Sequence, residues 1–133
     1  MRTVDRIDLH IEVPRVSLDA IVGDKDGEST ANVRMRVIAA REVQSTRFAE
    51  EQEIHCNAQM GLRLLKQHAM PDPRGRALLR MAAERLALSG RAYHRILRVA
   101  RTIADLDGAV TVGEKHIAEA VGYRVLDRTG PVG

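Results

Sequence analysis

The chain has 133 residues, 44% of them hydrophobic, which is enough for one modest core and not for two. Aromatics are only 2%, with no Trp and a single Phe (Phe48), so the core must be built from Leu, Val, Ile, Ala and Met, a composition that suits helices better than a β-sandwich. The lone Cys56 excludes an internal disulfide and fits a reducing compartment, the cytoplasm. No run approaches a membrane span, and no apolar signal-peptide region opens the chain. The net charge of +3 hides an asymmetry: residues 74–101 hold eight arginines and one acid, Glu84. Such a stretch points to a negatively charged partner, either polynucleotide or nucleotide phosphate.

The first element, "RIDLHIEVP", alternates strictly. Ile7, Leu9, Ile11 and Val13 fall on one side and Asp8, His10 and Glu12 on the other, which predicts a strand closed by Pro14. It is the one strand signature in the chain, so its pairing partners are missing from the sequence. Residues 14–28 read as a loop rich in Pro, Gly, Asp and Ser. A helix is expected from Ser29 or Thr30 to about Glu50, with Val33, Val37, Ala40 and Phe48 on one stripe. Asn57 is expected to cap a shorter helix over 60–68.

"MPDPRGRALLRMAAERLALSG" places Asp and Pro ahead of a helix over 74–87, and Ser89-Gly90 ends the turn after it. The next helix, 90–107, is the cleanest amphipathic element. Ala92, Tyr93, Ile96, Leu97, Val99, Ala100, Ile103 and Ala104 make its apolar side, and Arg91, His94, Arg95, Arg98, Arg101 and Asp105 its polar side. Thr111 and Glu114 have capping-box spacing and predict a last helix to about Tyr123. The expected fold is therefore all-α, a bundle of four or five helices over 29–133, preceded by one orphan strand and a long loop over 1–28.

No G-x-x-x-x-G-K-[ST] loop, G-x-G-x-x-G turn or G-x-S-x-G elbow occurs. The five histidines are scattered, and His55-Cys56 lacks zinc-ligand spacing, so no metal site is expected. Asp24, Asp26 and Glu28 fall short of a calcium loop. The arginine face of 90–107 has three readings. It is a solvated surface, a phosphate sensor, or, with 74–87, a helix-turn-helix pair whose Arg91, His94 and Arg95 face the bases of DNA. Arg instead of Lys on that face, and a cation in the first helical turn, where it opposes the helix dipole, both favour an anionic neighbour.

Several separated blocks carry a resemblance. "DRIDLHIEVPRV" (5–16), "GESTANVRMRVIAAREVQSTRF" (27–48), "NAQM" (57–60), "LSGRAYHRILRVARTIADLDG" (88–108) and "HIAEAVGYRVLDR" (116–128) resemble, in order, the C-terminal part of magnesium-chelatase-like AAA+ ATPases of the YifB/ComM type. The resemblance implies that the chain is the helical lid of a longer protein whose preceding αβ core carries the Walker motifs. Arg6 then stands in the place of the arginine finger that acts on the neighbouring subunit's nucleotide. Arg91, after Ser89-Gly90, stands in the place of sensor 2, with Arg95 and Arg98 as weaker candidates and Arg101 unassigned. No cofactor is implied for the lid alone. ATP and Mg²⁺ are implied for the intact protein, as are a hexameric ring, its core and neighbouring subunits as partners, and motor action on DNA in natural transformation. No membrane partner is implied, and Arg124 is expected to be an exposed bystander.

Overall fold

The computed structural model describes residues 7–11, 13 and 27–124. Among these residues there are five α-helices: α1 (Thr30–Arg47), α2 (Leu62–His68), α3 (Pro73–Leu86), α4 (Gly90–Leu106) and α5 (Glu114–Gly122), with a 3₁₀ turn at Asn57–Gln59. The expected all-α bundle is what the chain forms.

Local chemistry sets most helix starts. The Ser29 side chain accepts from the Asn32 N–H, that of Asp72 from Gly75, and that of Ser89 from Ala92, each satisfying a backbone donor that the first helical turn leaves unpaired. Pro73 fills the first position of α3, where its missing N–H costs nothing. Two expected caps fail. Asn57 is buried and starts the 3₁₀ turn, so α2 begins after Gly61 instead. α5 starts after Gly113 and not at Thr111, because the His116 ring reaches back: its Nδ1 accepts from the Gly113 N–H at 2.9 Å, leaving the Nε2 hydrogen for Asp107 Oδ2 at 2.8 Å. The imidazole does the work that a Glu does in a standard capping box.

α4 is the central helix. α1, the 3₁₀ turn, α2 and α5 all pack on it, and α5 also seats against α3. Ile96, Ala100, Ala104, Leu79, Ile117 and Val112 are inaccessible to solvent and form the centre of the core, closed by Met60, Leu65 and Phe48. α1 joins this core only through its C-terminal half. Ala40 and Phe48 are buried, but Val33 and Val37, expected on the same stripe, are 39% and 45% exposed, the described helices packing against the C-terminal half alone.

Of the expected orphan strand, residues 7–11 and 13 are described; among the described residues no neighbouring strand takes their backbone hydrogen bonds, and Ile7, Leu9, Ile11 and Val13 stay largely exposed. The segment instead leans on the helical body, with the His10 N–H donating to the Tyr123 carbonyl at 2.8 Å and Arg124 donating to the Ile7 carbonyl at 2.8 Å. Arg124 is therefore buried at 2% exposure, contrary to the expectation of an exposed bystander.

One close approach fixes how α3 meets the loop before α5. Pro71 and Val112 form an isolated parallel bridge, the Asp72 N–H donates to the Val112 carbonyl, and Gly75 sits over this junction. A Cβ at position 75 would lie 2.8 Å from Pro71 Cβ, in a rigid ring that cannot swing aside. Gly75→Ala is therefore expected to lower stability by about 1–3 kcal/mol, seen as a lower urea midpoint with unchanged slope.

Candidate functional site

α4 was expected to present four arginines on one polar face, and the structure sorts them by depth. Arg91 occupies the second position of the helix and is exposed. Arg95 is partly buried and pairs with Asp8 of the N-terminal segment. Arg98 Nε donates to the Met60 carbonyl at 2.9 Å. Burial pulls its guanidinium below the ordinary arginine value, against the attraction of Asp8. Arg101 is 3% exposed. Its guanidinium donates to the carbonyls of His68, Ala109 and Val110 at 2.8–3.1 Å, tying the end of α2 to the α4–α5 connection.

Arg101 and Asp105 were expected on the solvent side of α4, and both are buried. The reason is a polar network that satisfies them in place. The Asp105 carboxylate accepts two parallel bonds from Arg47 at 2.7 and 2.8 Å, another from Asn57 Nδ2 at 2.8 Å, and faces Arg101 at 3.1 Å. Asn57 in turn donates to Thr102 Oγ1, accepts from Arg47, and takes the Gln44 side chain on its backbone N–H. The charge count and the fork geometry make burial tolerable. An i,i+4 Arg–Asp pair is equally common on solvated helices, so sequence spacing alone did not mark this one, and Arg47 and Asn57 carried no signal of their own.

Burial pushes the Asp105 carboxyl up. The hydrogen bonds of Arg47 and Asn57 and the charges of Arg101 and Arg47 outweigh that push and hold it below the ordinary carboxylate value. A neighbouring His68 ring, edge-on to Phe48 at 5.9 Å, is moved down first by burial and then by the positive charges of Arg47 and Arg101.

Of the other expected site residues, Arg6 lies outside the described residues. Arg91 is exposed in the first turn of α4, whereas Arg95 and Arg98 are partly buried. Among the described residues no group of three or more His, Cys, Asp or Glu side chains could hold a metal ion, and no helix is long and apolar enough to cross a membrane.

Residues 27–124, nearly the whole described helical body, match the family of the magnesium chelatase subunit ChlI C-terminal domain. The chain belongs to this family. Competence protein ComM of Haemophilus influenzae is 39% identical to it over 127 residues, 94% of this chain and 24% of ComM. The uncharacterized protein YifB of Escherichia coli is 36% identical over 129 residues, again 94% of this chain and 24% of YifB. An uncharacterized protein of Mycobacterium tuberculosis is 36% identical over 121 residues. The chain thus spans about a quarter of the length of these relatives, and it is a C-terminal domain of a magnesium-chelatase-like AAA+ protein.

The Asp105 network of this domain is expected to set its acid stability. A carboxyl held low in the folded state stabilises fully above its unfolded value of about 4, and the contribution is lost as pH falls through the lower folded value. Asp105→Asn should cost about 3–5 kcal/mol at neutral pH, read from urea melts. It should also flatten the decline in stability that the parent shows below pH about 4.

Proposed function

We propose that this domain is the lid of a ComM/YifB-type AAA+ ATPase, and that it couples ATP binding and hydrolysis on a Walker-motif core to motor action on DNA. In this reading Arg91 acts in cis as sensor 2, Arg6 acts in trans on the nucleotide of the next subunit, and ATP and Mg²⁺ are held by the core. The protein works as a cytoplasmic hexameric ring, and the domain alone hydrolyses no ATP.

The observation that carries the reading is the placement of Arg91. Of the four α4 arginines it is the exposed one, set at the start of a helix whose first turn is fixed by the Ser89 cap and whose remaining length is locked into the core. A guanidinium held there on a rigid mount can meet charge that develops on a transferring phosphoryl group with little reorganisation. Arg95 and Arg98 rank below it because they sit deeper, Arg95 against Asp8 and Arg98 against the Met60 carbonyl. The same ties weigh against α4 as a reader of base edges, since Arg95 would have to leave Asp8 to reach DNA. The exposed apolar side of residues 7–13 supports the lid reading as well, because it is the surface that a strand offers to a sheet of its own.

The test is ATP hydrolysis by the full-length protein. Arg91→Ala is expected to lower kcat by about a hundredfold, whereas Arg63→Ala, which alters an exposed arginine paired with Glu51, leaves it unchanged. Equal rates for the two variants would remove Arg91 from the nucleotide site.

A further inference from the structure

The arginines that leave the surface of α4 reappear on α3. Arg74, Arg76, Arg80 and Arg85 are all exposed, and Glu84 is the helix's single acid. Arg36 and Arg63, exposed elsewhere, hold carboxylates of Glu28 and Glu51. Among the described residues no carboxylate lies within ion-pair reach of the four α3 arginines. Two of them, Arg76 and Arg80, stand one helical turn apart, about 6 Å along the axis. With Pro73, Ala77 and the half-buried ring of Tyr93 from α4 they line an open hollow between the two helices. Tyr93 is one of only three Phe, Tyr or Trp residues in the chain, and its ring meets His94 edge-on at 6.0 Å.

We infer that this hollow is a binding site for single-stranded nucleic acid, with Arg76 and Arg80 on successive phosphates and a base laid against Tyr93. Two guanidiniums one helical turn apart, with no carboxylate in ion-pair reach among the described residues, supply the phosphate chemistry, since their planar forks match phosphate oxygens. The Tyr93 ring, which lines the same hollow, supplies what a plain anion site lacks, a π-system on which any base can stack and that a base paired within a duplex cannot reach. α3 is rigid at this point, being capped by Asp72 and pinned by the Gly75 junction. Arg91, the proposed nucleotide contact, is not among the residues lining the hollow, and the inference does not depend on it.

Fluorescence anisotropy of a labelled oligothymidylate of about 20 nucleotides, titrated with the 133-residue chain at about 50 and 200 mM salt, tests the site. The expected result is binding that weakens at least about tenfold in Arg76→Ala/Arg80→Ala, with the salt slope reduced by roughly 1.4, or about 0.7 for each lost phosphate contact. Tyr93→Leu should weaken binding about fivefold or more while Tyr93→Phe retains it. Arg63→Ala should be unchanged, and circular dichroism should show every variant folded. The inference is overturned if the parent chain does not bind, if the double variant binds as the parent does, or if a duplex of the same length binds as tightly. Displacement by tripolyphosphate at matched phosphate concentration also overturns it, by making the hollow a simple polyphosphate site.

Discussion

The Asp105 carboxylate is the point on which the helical body turns. Three parts of the chain converge there, the end of α1 through Arg47, the 3₁₀ turn through Asn57 and α4 itself, and Arg101 extends the network to the carbonyls at the end of α2 and in the α4–α5 connection. A buried carboxylate is tolerable only when its oxygens are filled, and each of its partners is in turn held by another group. The interaction is therefore all-or-none. Removing any one partner would leave the others buried and unpaired.

This has a consequence for reading the arginines. A count of eight in residues 74–101 treats them as one feature, whereas the fold divides them by depth. Arg95, Arg98 and Arg101 bind oxygens of this same chain and bring together parts distant in sequence. Arg74, Arg76, Arg80, Arg85 and Arg91 face outward. Functional weight accordingly shifts from the middle of α4 toward its first turn and toward α3.

Wherever local chemistry determined the outcome, the sequence was legible. Ser29, Asp72-Pro73 and Ser89 mark their helices because a side chain three residues away from an unpaired N–H acts alone. The apolar set of α4 was legible because it is the central helix and its periodicity is not interrupted. What could not be read depended on neighbours. The alternation over residues 7–13 encodes a strand only where another strand adjoins it. The capping role of His116 depends on a ring folding back onto Gly113, which outcompetes the Thr111 pattern. Arg101 and Asp105 look like a solvated ion pair until Arg47, 58 residues from Asp105 in sequence, arrives. The candidate site divides in the same way: the position of Arg91 followed from its capped helix, whereas the Arg76–Arg80–Tyr93 hollow requires knowing how two helices cross.

The two limbs of the described chain meet. His10 donates to the Tyr123 carbonyl, and Arg124 reaches the Ile7 carbonyl, so the strand-like segment leading into the body and the residues leaving it run side by side. The Arg124–Ile7 contact joins residues 117 apart in sequence. A load that pulled residues 7–10 away from Tyr123 and Arg124 would act on these few hydrogen bonds first, before the packing around α4 felt it.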